Sequence, residues 1–123
     1  MTRSLIILGL AVTGLMCVAA DQSKVAAAFD NTIVSTYPDG RTGELWLASD
    51  GSYTAQGRRH DPSNGHWRVK GDKLCLKQSR PIPVPFSFCT PLPSELGAGW
   101  TGKAVSGEAI QIKLVKGHVT GPA

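Results

Sequence analysis

His60, Asp61 and His66 are the residues whose types and spacing come closest to a catalytic set. Two imidazoles and one carboxylate can hold a transition metal that activates water, which is the chemistry of a small metal-dependent hydrolase. The three residues flank a turn-like stretch, however, and no helix or tight turn fixes the spacing between the two histidines. We therefore expect exposed turn residues with no metal and no cofactor, and the hydrolase is the alternative.

Basic residues are concentrated around the same stretch. The two predicted strands that flank it place several cations near one another, namely Arg58, Arg59, His60, His66, Arg68 and Lys70. A patch of this kind attracts an anionic glycan, a lipid headgroup or an acidic protein partner. The alternative, which the sequence favours, is an ordinary solvated face. These six residues are the candidate ligand or partner patch.

The remaining nucleophiles lack the surroundings that catalysis needs. Ser63 and Ser106 lie in turn-like segments, and the sequence contains no GxSxG nucleophile elbow, phosphate loop, HExxH motif or EF-hand loop. The sequence therefore predicts a protein that is not an enzyme.

Cys75 and Cys89 are expected to form a disulfide. The third cysteine, Cys17, lies in an N-terminal segment that is predicted to be removed, which leaves an even pair in an exported chain. The bridge closes a loop of about 15 residues and, on the chain-entropy model, stabilises the fold by about 3 kcal/mol. Two buried thiols are the alternative, and a metal site is disfavoured because neither cysteine belongs to a CxxC pair.

Residues 1–20 have the order of a secretory signal peptide. A single cation, Arg3, precedes an apolar run, and small residues lead to an expected cleavage after Ala20. A retained anchor and a lipoprotein acylated at Cys17 are the alternatives, but the run is short for a membrane span and the residues before the cysteine do not fit the lipoprotein pattern. We predict one domain, 21–123, in the periplasm or secreted, with no membrane span after cleavage.

The charge of the chain bears on its partners. Removal of Arg3 lowers the formal net charge from +4 to +3. A protein that grips phosphate backbones normally carries more positive charge, concentrated in runs, so no nucleic acid is expected as a partner. The expected partner is an unknown envelope component or an anionic ligand.

Seven or eight short β-like runs, separated by turn residues, fill the sequence between residues 32 and 115, and no long helix interrupts them. This pattern predicts an all-β fold, either a small antiparallel, lipocalin-like barrel or a β-sandwich. The hairpin-like connections favour the barrel. A short helical turn within 21–30 is expected to cap one end of the sheet, Asp61–Gly65 is expected to form a turn, and the tail 116–123 is expected to fray.

The predicted core follows from the alternation of apolar residues. Leu74 and Leu76 share one face of their strand, opposite Cys75, and Phe86 and Phe88 do the same opposite Cys89. The two sulfurs can then meet across neighbouring strands on the outer face, while the large apolar side chains point inward. The tryptophans, at positions 46, 67 and 100, are expected to pack in the core rather than bind a ligand.

The segment from Gly65 to Cys75, GHWRVKGDKLC, comes after an aromatic strand and an Asp-Gly turn and is followed by Cys89. This order, G-x-W then G-D-x-x-C, resembles small exported proteobacterial proteins of unknown function with a lipocalin-like or sandwich-like β domain. The resemblance implies a bacterial periplasmic setting and a β fold, and it brings no catalytic residue. Periplasmic lysozyme inhibitors are disulfide-containing β-barrels of similar length, but their inhibitory loop is not visible here and the positive charge has the wrong sign for opposing a basic enzyme.

These features predict a secreted or periplasmic, non-enzymatic binding module associated with the cell envelope. Its unknown ligand is expected at the surface or at the mouth of the barrel. The alternatives are the metal-dependent hydrolase described above and a structural envelope protein.

Overall fold

The computed structural model describes residues 24–93 and 95–121, so the predicted signal peptide lies outside the described residues. A 3-10 turn, η1 (Ala26–Ala28), precedes eight antiparallel strands. The strands are β1 (Thr32–Thr36), β2 (Thr42–Leu47), β3 (Ser52–Gln56), β4 (Pro62–Lys70), β5 (Lys73–Arg80), β6 (Phe88–Pro91), β7 (Gly99–Lys103) and β8 (Ala109–Val115). The all-β prediction is confirmed. Nothing in these two ranges forms a helix with the length and hydropathy of a transmembrane segment.

The strands form one sheet that curls into a nearly closed barrel. Neighbours in sequence are neighbours in the sheet from β1 to β6, and the β7–β8 hairpin adds β8 to β1. Ile33 of β1 pairs with Leu45 of β2 on one side and with Leu114 of β8 on the other. β6 and β7 approach each other without pairing, and we call this gap the seam. The structure is therefore the barrel rather than the sandwich.

One end of the barrel, where β1 begins and β2 ends, is filled by side chains. Val25, just before the first turn, and Ala28, its last residue, are fully buried there, and the ring centroid of Phe29 lies 5.9 Å from that of Trp67. The predicted cap is thus confirmed, and we call this the closed end. We call the opposite end, where β1 and β3 finish, the open end. The core at the closed end comprises Val25, Ala28, Leu47, Trp67, Leu74 and Leu114.

Strand β4 starts at Pro62, so most of the predicted turn Asp61–Gly65 is strand. The turn lies earlier, where the Gly57 amide donates to the Asp61 carbonyl at 3.0 Å. Proline is tolerated as the first residue of a strand. Gly65 lies at an irregularity between β4 and β5, where a Cβ would collide with the carbonyl oxygen of Lys77. The turn prediction is wrong because this glycine serves a close approach of two strands.

Cys75 of β5 and Cys89 of β6 face each other directly and form the predicted disulfide. The core prediction holds for Leu74, which is fully buried, whereas Phe86 is 52% exposed. It fails for Phe86 because β6 begins only at Phe88 and the alternating prolines before it keep this side chain in the connecting loop.

Residues 116–121 pack along the outer face of β1 and β2, so the predicted fraying is wrong for these residues. The Thr32 hydroxyl donates to the carbonyl oxygen of Gly117 at 2.7 Å and accepts from the Val119 amide at 2.9 Å. The same hydroxyl accepts from Trp46 Nε1 at 2.9 Å. Polar groups on the two strands, rather than strand pairing, therefore hold the tail.

Two further contacts extend this attachment. The imidazole of His118 stacks on Trp46, with ring centroids 4.3 Å apart and planes at 3°. Glu44, only 2% exposed, accepts from the Gly121 amide at 3.1 Å. Trp46 therefore lies on the outside of the barrel beneath the tail, whereas Trp67 is in the core as predicted. Trp100 is half-buried against the core.

Candidate binding site at the open end of the barrel

A cavity of about 340 Å³ occupies the open end of the barrel. Its position follows from the packing, because the bulky core layer that fills the closed end does not extend this far. Apolar side chains from four strands, one loop and a hairpin turn form its walls, namely Leu45, Ala55, Leu76, Val84, Phe86, Phe88 and Val105. The lining also includes the polar residues Ser35, Tyr37, Gln56, Ser63 and Gln78.

Tyr53 forms the floor of the cavity, and Gly43 determines the shape of one side wall. Tyr53 is buried between the core and the cavity, and burial raises the pKa of its phenol. Gly43 faces inward, where a Cβ would lie 3.1 Å from the Gln56 carbonyl oxygen and 3.7 Å from the Tyr37 ring. The absence of a side chain at Gly43 thus leaves room for the Tyr37 ring at the edge of the cavity.

The rim of the cavity exposes unusually large apolar side chains. Val105, in the β7–β8 turn, is 70% exposed and Phe86, in the β5–β6 loop, is 52% exposed, and both line the cavity. Ile82 in the same loop is 69% exposed. Exposed apolar side chains that line a concavity mark ligand or partner contacts more often than isolated surface residues do. The available signal in the sequence was the run of apolar residues alternating with prolines in RPIPVPF, which resists burial in a sheet.

Arg58 closes one side of the rim through an ion-pair cluster. Its guanidinium donates to Glu108 at 2.6 Å and lies 3.6 Å from Asp39. It also lies 4.3 Å above the centre of the Tyr37 ring. The hydrogen bond to Glu108, followed by the nearby charges of Glu108 and Asp39, raises the pKa of Arg58. This residue therefore ties three hairpin turns together and is already neutralised by carboxylates.

The six basic residues of the predicted patch are divided among three places on the barrel. Arg58, Arg59 and His60 line a groove of about 490 Å³ on the outer side of the open end, which we call the rim groove. Its lining residues are Gly40, Arg41, Thr42, Arg58, Arg59, His60 and Gly121. Arg41 belongs to this group, and the sequence reasoning missed it because it lies on a different hairpin.

His66 and Arg68 lie elsewhere, on the outer face of β4. They line a second groove of about 310 Å³, which we call the outer groove, together with Lys77 of β5. His66 is paired with Ser52, four residues along β4 from Pro62, so roughly 13 Å of strand separates it from the rim groove. Lys70 lies farther still, at the end of β4 opposite Lys73.

The geometry also bears on the proposed metal ligands. His60 and Asp61 lie in the β3–β4 turn, whereas His66 lies well along β4 toward the closed end. In the part of the chain that the structure describes, no three His, Cys, Asp or Glu side chains are grouped as a metal site requires. The structure does not bring the predicted histidine, carboxylate and histidine set together.

Fold and site together define a small antiparallel β-barrel with one packed end, one open apolar cavity and a cationic groove beside it. Comparisons of the chain with protein-family models, with curated proteins and with solved structures found no match. The resemblance of Gly65–Cys75 to small exported proteobacterial β domains stays a prediction.

Proposed function

We propose that this protein is a non-enzymatic binding module of the bacterial cell envelope, periplasmic or secreted, that takes a small apolar ligand into the open end of its barrel. The observation that supports this proposal is the cavity of about 340 Å³, which has apolar walls and an apolar rim. Small-molecule sites in proteins are typically concave, mostly apolar and furnished with a few polar groups, and this cavity has each of those properties.

The size and polarity of the cavity limit the ligand. At about 30 Å³ for each water-sized group, the volume accommodates roughly eleven such groups, as in a medium-length alkyl chain or a single substituted ring. The hydroxyls of Ser35 and Ser63 and the side-chain amide of Gln78, which also donates to the Ile82 carbonyl, offer hydrogen bonds to one or two polar atoms. Glu44 also borders the cavity, with one carboxylate oxygen accepting from the Gly121 amide, and the other lining residues carry no charge. The part of the ligand inside the barrel is therefore neutral.

Two features support the proposed location. The Cys75–Cys89 disulfide is the kind of bond that persists in oxidising compartments such as the periplasm. Residues 1–20 have the charge, apolar run and small residues of a signal peptide. Cell fractionation followed by intact-mass measurement tests this part of the proposal. An exported product that begins at Asp21 and has no alkylatable thiol is expected, and a cytosolic, full-length, reduced chain would contradict it.

Titration with n-octanol tests the binding proposal. Ala55 points into the cavity, so Ala55→Leu is expected to fill part of it and to abolish octanol binding without loss of thermal stability. The matched control is Thr54→Leu, which adds bulk to the adjacent, exposed residue on the outer face and is expected to leave binding unchanged. Binding is measured by isothermal titration calorimetry. Octanol binding that survives Ala55→Leu, or no octanol binding by the unaltered protein, overturns the proposal.

A further inference from the structure

The apolar cavity and the rim groove are neighbours. Gly43 and Gly57 line the cavity, and the next residues on the same two hairpins, Thr42 and Arg58, line the groove. The cavity and the groove therefore share an edge, and a ligand longer than the cavity can extend across it. What meets it there is a cationic surface rather than an apolar one.

We propose that the ligand is an amphipathic anion, whose apolar chain fills the cavity and whose carboxylate or phosphate headgroup lies in the rim groove. This inference rests on the proposed function, because it assigns the chemical class of the ligand bound in the same cavity. The headgroup contacts are Arg41, Arg59 and His60, and none of the residues lining the groove is acidic.

The three arginines of the rim groove differ in how closely carboxylates pair with them. Arg58 is engaged by Glu108 at 2.6 Å, and Asp39 lies 3.6 Å from Arg58 and 3.7 Å from Arg41. In residues 24–93 and 95–121, by contrast, Arg59 forms no ion pair, and it is exposed. Within the same ranges, the one ion pair of the Arg41 side chain is the 3.7 Å contact to Asp39, whose carboxylate Arg58 shares. The Glu44 carboxylate also contacts a groove residue, because it accepts from the Gly121 amide. Arg59 and Arg41 are therefore the groups available to an anionic headgroup, and guanidinium groups suit both carboxylate and phosphate oxygens.

The backbone at His60 supports a role for its side chain. This residue has φ 66°, in the left-handed region that glycine and asparagine adopt at lower cost. Its amide donates to the Gly57 carbonyl at 2.8 Å, so the turn itself needs only the backbone at this position. The turn therefore does not require an imidazole, and the exposed His60 side chain lies at the groove.

Three ligands with the same alkyl chain but different headgroups distinguish the contribution of the headgroup to affinity from that of the chain. Titration calorimetry with n-octanol, octanoate and octyl phosphate at low ionic strength is expected to give affinities for the two anions about tenfold higher than for the alcohol, as expected for one or two partly exposed ion pairs. That advantage is expected to shrink as NaCl is added, because salt screens exposed charges, while octanol binding stays constant. A preference for one anion over the other identifies the headgroup as carboxylate or phosphate.

Two double variants make the test site-specific. Arg41→Gln with Arg59→Gln is expected to abolish the tenfold advantage of the anions and to leave octanol binding unchanged. Arg68→Gln with Lys77→Gln removes the same amount of charge from the outer groove and is expected to change neither. His60→Asn is expected to weaken anion binding about threefold while leaving the melting temperature unchanged or raised.

The outcomes distinguish this inference from the function on which it rests. Equal affinities for octanol and octanoate, or equal losses in the two double variants, overturn the headgroup site and leave the apolar binding function intact. If none of the three ligands binds, the proposed function fails and the inference fails with it.

Discussion

Replacement of Thr32 by valine tests whether the tail is held as the structure indicates. Thr32 is completely buried, and its hydroxyl makes three hydrogen bonds, one donated to Gly117 and two accepted from Val119 and Trp46. Valine keeps the shape of threonine and its preference for strands but removes the hydroxyl. The substitution therefore deletes all three hydrogen bonds while preserving the packing.

The magnitude follows from the count of bonds. A hydrogen bond contributes about 1 kcal/mol net, so the loss of three lowers the free energy of unfolding by about 3 kcal/mol. The tail remains tethered through Asn31, whose side-chain oxygen accepts from the Gly117 amide at 2.8 Å, and through Glu44. Because these tethers keep the tail in place, the unpaired groups stay largely shielded and the full cost is expected. This loss is a large share of the roughly 5–15 kcal/mol that stabilises a small domain.

Urea unfolding followed by tryptophan fluorescence measures this loss, and hydrogen exchange at the Val119 amide reports on the tail directly. The control is Thr36→Val on the same face of β1, where the hydroxyl makes none of these bonds, and its effect is expected to stay within about 0.5 kcal/mol. If Thr32→Val costs no more than Thr36→Val and exchange at Val119 is unchanged, the described attachment does not stabilise the protein.

Other predictions concern the barrel wall. Gly65→Ala places a methyl group against the Lys77 carbonyl and is expected to cost about 1–3 kcal/mol, so a urea midpoint equal to that of the unaltered protein would refute the close approach. Replacing Cys75 and Cys89 by serine opens a loop with a sequence separation of 14 and is expected to lower the unfolding free energy by about 3 kcal/mol, an effect that dithiothreitol should reproduce on the unaltered protein but not on the variant. The hydroxyl and the amide of Ser52 donate to the Asp50 carboxylate and lower its pKa, the hydroxyl having the larger effect. The ionised Asp50 carboxylate therefore stabilises the fold above the unfolded pKa of about 3.9, and this contribution is lost as the pH falls through the folded pKa. Asp50→Asn should therefore be less stable than the unaltered protein at neutral pH and equally stable in strong acid, and a stability difference that does not change with pH would contradict the assignment.

The elements predicted best are those in which local pattern and burial agree. The run Ala109–Val115 coincides with β8, and its alternating residues Ile110, Ile112 and Leu114 are all buried. Such strands have one face in the core and one in water, so their sequence records the period of the structure. The disulfide was predictable for a different reason, since it required only the count of cysteines and their place in alternating runs.

The features that were missed depend on contacts between distant segments. Residues 116–121 have no strand pattern, yet side chains on β1 and β2 hold them in place. Asp61–Gly65 has the composition of a turn, but glycine is needed at position 65 because the backbone of the neighbouring strand β5 lies too close for a side chain. The composition of a short segment does not reveal which distant strand it contacts, so neither feature was predictable.

The candidate site shows the same limit. Sequence reasoning found Arg58, Arg59 and His60, because they are consecutive, but it did not find Arg41, which reaches the same groove from the β1–β2 turn. It also did not find the cavity, whose walls come from strands and loops spread between Ser35 and Val105. A void enclosed by a barrel has no signature in any single stretch of the chain.

The position of strand β1 in the sheet determines when the barrel can finish folding during synthesis. It lies between β2, which is made soon after it, and β8, which is among the last described segments to leave the ribosome. Contacts between segments so far apart form slowly, and until β8 is available β1 keeps one unprotected edge. The barrel is therefore completed only when this late strand arrives.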